Sequence, residues 1–568
     1  MSTCRVFAQD TRNQQKISLS GEMGITYEYY GLDKSPETPV PDFYAPRKPW
    51  NYFRYLFNPV ISTNKWLIPF NISFSPTQNN FLTPPTGRRQ NLWEFLTNPA
   101  NNFGVSPKIG TTEILLGTQT LKYSDLSTGD IGVFGYGVNL SPGRFRFKIF
   151  NGVSQRGVNY VSPLNFPPNG ITGAYKRNQW MAQVGVGKEG VYFAGFNFVR
   201  SSDVISSVSS PPLPPVEPQQ NMIVSFLTTA STANGWNFNA ELGQSFHTLN
   251  LNDPLSVTPL ADFKPFIKSH TSTVKDNAVM LGIDKKKKEW EIGAKFNYIG
   301  AGYYTAGYPF MGTDRMEYLL NTHFNAWKKK LNVVGSVGQR FGNISHLSGP
   351  QITTQIVANV NVFAQFSDHF TLNTSFNNYG FNAPGTSAYK SVSNELSLNP
   401  VYTWANSKMS NMLSGTYTQS RYDETIFPAP VTHNDTKTVL LLYVPSFFNS
   451  KLNPDFSLMW FHNKTQLIEL RLWNFSGDVI WNLTKVFNLK GQLQYALSAT
   501  SPFTSDKNLL TTVGFNWQLY KKLSWQFSAT ANLYRYGSEL PGSSLTPVYP
   551  GEPQYLESSV RTGLNYRF

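Results

Sequence analysis

The chain has 568 residues, a formal net charge of +14, 15% aromatic residues and only 14% charged ones, with a mean hydropathy of -0.31. No apolar run approaches the roughly 18 residues of a membrane-spanning helix, the longest lying around Val439 to Val444, so a helical membrane protein is excluded and a closed barrel remains as the way to cross a bilayer. Single cores rarely exceed about 250 to 300 residues, but in a closed sheet length becomes strand number, and one domain can hold the whole chain.

Taken in chain order, the first feature is Cys4, the single cysteine, which leaves no internal disulfide and no cysteine metal cluster. Met1, Ser2 and Thr3 lack the apolar run that lipoprotein acylation at Cys4 needs. Val6 and Ala8 stand instead where a secretory signal is cleaved, so residues 1–9 read as the end of a signal peptide, with the mature chain beginning near Gln9 and a barrel over 10–568.

From 16 to 30 the odd positions are Ile17, Leu19, Gly21, Met23, Ile25, Tyr27 and Tyr29, while Lys16, Ser18, Ser20, Glu22 and Glu28 lie between them. That is period two, a strand with one wet and one apolar face, and it exceeds the roughly 9 to 11 residues a tilted strand needs to cross a bilayer. The alternation returns from Ile352 to Phe366 and from Leu556 to Phe568.

Between such strands, short and long connections take turns, as in outer-membrane barrels and not in soluble sandwiches. Tight turns are expected at 62–65, Gly110, 141–143, 187–190, 230–234, 284–288, 328–330, 367–369, 405–408, 449–453, 484–488 and 520–523. The longer connections fall at 30–48, 75–101, 119–130, 153–175, 201–219, 248–276, 299–313, 341–351, 379–389, 422–435, 463–466, 501–507 and 537–554. The expectation is an all-β fold: a single large transmembrane antiparallel up-and-down barrel of about 26 strands, within a range of about 22 to 28, with both termini on the periplasmic side. Pro211, Pro212, Pro214, Pro215 and Pro218 make 201–219 an external loop rather than a linker, and one reading of Trp93 to Leu96 is a short helix folded into the lumen.

Trp66, Trp180, Trp236, Trp290, Trp404, Trp481, Trp517 and Trp525 recur toward strand ends, the pattern of aromatic girdles at the lipid interfaces. The lysines at 285–288, 328–330, 485 and 521–522 fall in turns and read as solvated, and no basic stripe joins a nucleic-acid module, so no nucleic-acid partner is expected.

Arg144, Arg146 and Lys148 alternate with Phe145, Phe147 and Ile149, which directs three cations to the lumen, where Arg561 and Arg567 join them. A wall of one charge sign would favour anions or an acidic partner, whereas ladders with lumenal carboxylates would only solvate it. One strand breaks phase: Ile468, Leu470 and Leu472 are apolar on even positions, Trp473, Phe475, Val479 and Trp481 on odd ones. A bulge near Leu472 would restore continuity and turn Glu469 and Arg471 inward, as an ion pair or a gate.

The last strand places Val560, Leu564, Tyr566 and Phe568 at alternate positions, with Thr562 departing from the pattern. This ending resembles the C-terminal assembly signal of Gram-negative outer-membrane proteins, which implies recognition by the barrel-assembly machinery. Segments 102–109 and 132–147 resemble barrels of the Bacteroidota. Neither HExxH, GxSxG nor a P-loop is present, and the seven histidines show no metal-ligand spacing, so no enzyme, cofactor or metal is expected. Two roles fit: a passive or gated pore for polar solutes, or a scaffold that anchors a surface protein, lipoprotein or secretion component. A TonB-dependent transporter fits less well, since no plug-sized segment precedes the first strand. The expected surroundings are outer-membrane lipid and lipopolysaccharide.

Overall fold

The computed structural model describes residues 17–35, 48, 50–76, 92–97, 101–129, 131–160, 162, 172–188, 190–257, 266–347, 349–383, 389–426, 431–448, 451–501, 505–535 and 554–568. The expected signal-peptide end at 1–9, and much of the connections at 30–48, 75–101, 153–175 and 537–554, lie outside the described residues.

Period-two segments become strands because each can bury one face in lipid and wet the other. They follow in order as β1 (Ser18–Ser35), β2 (Asn51–Ser62), β3 (Trp66–Phe74), an interrupted β4 (Asn102–Val105 with Lys108–Ile109), β5 (Thr112–Thr120), β6 (Gly132–Leu140), β7 (Phe145–Gln155), β8 (Lys176–Lys188) and β9 (Tyr192–Val204). Next come β10 (Gln220–Ser231), β11 (Trp236–Thr248), β12 (Thr273–Lys286), β13 (Trp290–Ile299), β14 (Arg315–Ala326), β15 (Leu331–Gly342), β16 (Thr353–Gln365), β17 (Phe370–Ala383) and β18 (Tyr389–Ala405). The last are β19 (Met409–Ile426), β20 (Thr432–Phe447), β21 (Leu452–Lys464), β22 (Glu469–Asn482), β23 (Phe487–Ser501), β24 (Ser505–Tyr520), β25 (Leu523–Arg535) and β26 (Gln554–Arg567).

Every strand is antiparallel to its sequence neighbours, and β1 pairs with β26 from Glu22 opposite Arg567 to Ser35 opposite Gln554, which closes a 26-stranded barrel. The amide of Phe568 donates to the Gly21 carbonyl at 2.9 Å, carrying the seam to the last residue. Closure leaves no sheet edge, the condition for an extended backbone in lipid. The interruption in β4 is bridged by the Ser106 amide donating to the Pro69 carbonyl at 3.1 Å. Strands β1, β9 and β19 run on through 31–35, 201–204 and 422–426, further than the expected loop boundaries, because their ladders continue past the apolar band.

Cross-strand register assigns the faces. Trp66, Trp236, Trp290, Trp481 and Trp517 are exposed on the outer face beside the short turns, and Trp525 meets Trp517 with ring centroids 6.3 Å apart. Toward the opposite rim, Trp460 and Trp473 stand side by side at 6.5 Å. The eight steps from Trp473 to Trp481 span about 20 Å of membrane normal at about 3.3 Å per residue and a tilt near 40°, close to the height of an outer-membrane apolar band.

The short helix α1 (Leu92–Leu96) forms, but not inside the barrel. Phe95 lies 5.8 Å from Phe74 and 5.6 Å from Phe103, and Trp93 meets Phe134 edge-on at 5.4 Å. Those three partners are on the outer face, so the lumenal reading of Trp93 to Leu96 is corrected: the apolar side of the helix packs where aromatic surface was available.

At Gly117, φ is +77 and a Cβ would sit 1.7 Å from the Phe103 carbonyl oxygen. Gly117→Val should leave less than roughly a tenth of the protein in the heat-resistant compact form seen by gel mobility, since both the backbone conformation and the approach of β4 are lost. Gly380→Ala, whose Cβ would have Ile356 as its nearest neighbour at 3.8 Å, should assemble normally.

Candidate functional site

The inner wall of β5 to β13 is not uniformly polar. Leu115, Val133, Phe150, Met181, Val199, Ile223, Ala278 and Ile299 share one buried cluster, all on the inward side of their strands. Apolar surface facing a wet lumen has to be covered, and two connections cover it. Residues 121–129 and 300–313, within the connections expected at 119–130 and 299–313 as external loops, turn into the barrel, where Leu126 and Tyr303 are 0% and 1% exposed within that cluster.

The polar inward positions bind the backbone of these inner segments. The Glu241 carboxylate accepts from Ser124 Oγ at 2.5 Å, Ser225 Oγ at 2.8 Å and the Leu126 amide at 3.3 Å. Ser225 Oγ in turn accepts from Asn197 Nδ2 at 3.1 Å, and Asn197 Oδ1 accepts from Gln183 Nε2 at 2.7 Å. For the second segment, Asn221 Nδ2 and Ser245 Oγ both donate to the Tyr304 carbonyl, at 2.8 and 2.6 Å, and the Ala306 amide donates to Asn221 Oδ1 at 3.1 Å.

The segments also hold each other. Tyr303 OH donates to the Leu126 carbonyl at 2.8 Å, Thr305 Oγ1 to the Ser127 carbonyl at 2.5 Å, and the Gly129 amide to the Gly307 carbonyl at 2.7 Å. Burial, and then the nearby Glu241 carboxylate, push the Tyr303 phenol above its ordinary range, so it remains an un-ionised donor. Above this layer His247 stacks on Tyr304 with centroids 4.0 Å apart, and Arg177 holds Asp203 by two bonds of 2.7 and 2.9 Å. The arrangement is a fixed partial lining, since nearly every polar group is spent on another part of the chain. Sequence periodicity marked these wall residues as wet but gave no sign of their partners.

The charges singled out from the sequence are scattered through this frame. Arg144 belongs to the turn before β7, and the Arg146 guanidinium donates to the carbonyls of Gly143 at 2.8 Å and Phe145 at 2.9 Å. Lys148 lies opposite Asn139 and Gln183, with Nζ 5.8 Å from the Tyr123 ring centre. Arg561 pairs across the seam with Glu28 and Arg567 with Glu22, so each cation there stands opposite an acid. Val560, Leu564 and Tyr566 lie together on the outward side of β26, and Phe568 meets Tyr566 edge-on at 5.3 Å.

No bulge forms near Leu472. The register of β22 with β21 runs unshifted from Lys464 opposite Glu469 to Leu452 opposite Trp481, so Glu469 and Arg471 share the outward face of Trp473 and Phe475. Leu470 and Leu472 face inward instead, opposite Asn463 and Phe461. Glu469 Oε1 accepts from His462 at 3.0 Å and lies 2.6 Å from Arg471, forming a polar cluster on the outer wall beyond the Trp460 and Trp473 pair. The expected inward pair is therefore corrected: the two leucines stay on the lumenal side, and no extra residue is inserted to change the face.

A closed antiparallel sheet that is apolar outside and largely polar within defines a membrane-spanning β-barrel. No protein-family model matches the chain, and no curated protein matches it. Among solved structures it is similar to OccAB4 of Acinetobacter baumannii, at 10% identity and a TM-score of 0.30, over 66% of this chain and 97% of that one. The P pilus usher translocation pore PapC matches at 10% identity and a TM-score of 0.34, over 96% and 99%. The FrpB iron transporter of Neisseria meningitidis matches at 10% identity and a TM-score of 0.34, over 80% and 87%. Scores of this size carry no argument about what passes through this barrel.

Glu241→Ala leaves three donors and a buried cavity beneath residues 124–126. Losing several charge-assisted bonds at once should raise hydrogen exchange at the Leu126 amide by roughly tenfold or more. Mass spectrometry of peptides covering 121–131 is the check, with peptides from β20 to β24 unchanged.

Proposed function

We propose that this protein is a passive pore of a bacterial outer membrane, admitting small polar solutes along the side of the lumen that the inner segments leave bare. The observation that carries this is width against lining. Twenty-six strands at a spacing of about 4.8 Å and a tilt near 40° make a ring of roughly 160 Å, or about 50 Å across. Among the described residues, the two inner segments cover the wall of β5 to β13.

The rest of the wall is wet and carries charges of both signs. Asn399 Nδ2 bonds Thr416 Oγ1 at 2.7 Å, Ser457 pairs with Ser476 at 2.7 Å, and Thr512 with Thr530 at 3.1 Å, rungs of amides and hydroxyls rather than a stripe of one charge. Lumenal cations such as Arg561 and Arg567 face acids, which supports the ladder reading over strong anion preference. The outward cluster of Arg421, Asp423, His433, Lys437, His462, Glu469 and Arg471 suits lipopolysaccharide headgroups, and the alternate apolar end of β26 suits the assembly machinery.

Purified protein in a planar bilayer should give large, steady current steps, with cation and anion permeabilities within roughly threefold of each other across a salt gradient. Silence from correctly folded barrels would contradict the pore and favour a lumen filled by an anchored partner.

A further inference from the structure

We propose that the bare wall below the inner segments holds a binding track for a neutral, polyhydroxylated solute of oligosaccharide type. The inference rests on the pore reading and adds what the pore selects. Its basis is a hollow of about 960 Å³ in the lumenal wall of β10 to β17.

Register puts hydrogen-bonding side chains there in an unbroken row. Asn321 stands opposite Ser336, Ser336 opposite Asn359, and Asn359 opposite Asn377. Carboxylates close both ends: Asn377 pairs with Glu395, and on the other side Gly293 links Asn321 to Asp284. Gly293 contributes no side chain, and a Cβ built there would meet Asp284 Cβ at 3.0 Å, so the row dips into a groove at that point. One step toward the short turns, Asn361 and Ser375 form a second rung opposite each other.

What sets this stretch apart is that a hollow and unspent side chains coincide in it. Among the described residues, the side chains of Asn239, Asn321 and Asn361, all lining the hollow, make no hydrogen bond to protein, whereas behind the inner segments Gln183 bonds Asn197 and the Tyr123 carbonyl, Asn197 bonds Ser225, and Asn221 bonds the Tyr304 carbonyl. An amide offers both donors and acceptors, and a carboxylate accepts from adjacent hydroxyls. A chain of hydroxyl groups satisfies both along its length. An anion would meet three carboxylates, Asp284, Glu291 and Glu395, against the one ammonium of Lys295, and a simple cation would leave every amide donor unused.

The test is single-channel current with a neutral linear glucan hexasaccharide added to one side. The wild-type barrel should show brief, concentration-dependent interruptions. Asn321→Ala with Asn361→Ala should shorten them roughly tenfold or more, at about one neutral hydrogen bond per residue, with open current unchanged. Gln526→Ala, on β25 across the barrel, should leave them as they were. Absence of any current would sink the pore reading itself. Steady current without interruptions, durations unaffected by the double substitution, or equally long interruptions by a uronic oligosaccharide of the same length would each overturn the track while leaving the pore standing.

Discussion

Hydrogen bonding of the backbone in lipid governs this molecule. An unpaired amide in hydrocarbon costs several kcal/mol, so an extended chain can span a bilayer only if its first and last strands find each other. Here they do so along β1 and β26, from Glu22 and Arg567 to Ser35 and Gln554. Once the ring is closed, side-chain direction follows: every other residue meets lipid and its neighbour meets water.

Closing so many strands creates the second problem. A ring this wide cannot be filled by its own inward side chains, as a small barrel is, and inward apolar residues such as Phe150, Met181 and Ile223 would stand in water. The inner segments answer this locally, with a small core of their own inside the barrel. Their backbone, removed from solvent, is met at several points by Glu241, Asn221 and Ser245. The lumen therefore has two characters: a dry side whose polar groups are mostly spent on the chain itself, which is structural, and an amide-rich side that still has donors and acceptors to offer. Function is assigned to the second because its spare donors and acceptors face the open lumen, whereas those left over behind the inner segments, such as Gln179 Oε1, are buried.

Strand number and connection parity were legible because period two and turn chemistry are local properties. The turn at Gly110 and the strand from Ile17 to Tyr29 could be read from neighbours alone. The inward course of residues 121–129 could not, since Leu126 and Tyr123 look like any loop residues until Phe150, Met181 and Ile299 are known to share a face across five other strands. The same limit explains β22. Apolar residues on both parities suggested a bulge, but Leu470 and Leu472 lie inward opposite Phe461 and Asn463, and charge was displaced to the outside, where headgroups rather than acyl chains meet it. Helix α1 was legible as a helix and not as to side, because aromatic contacts with Phe74 and Phe103 depend on strands that flank it in space.

The most direct test of a water-filled barrel is thiol labelling of single cysteines along β16, in a background with Cys4 replaced by serine, using a membrane-impermeant reagent on protein in vesicles. Positions 355, 359 and 361 should label and 356, 358, 360 and 362 should resist, following the inward and outward sides set by the register with β15 and β17. Labelling without that alternation, or protection of both sets, would contradict a barrel whose lumen is open to water.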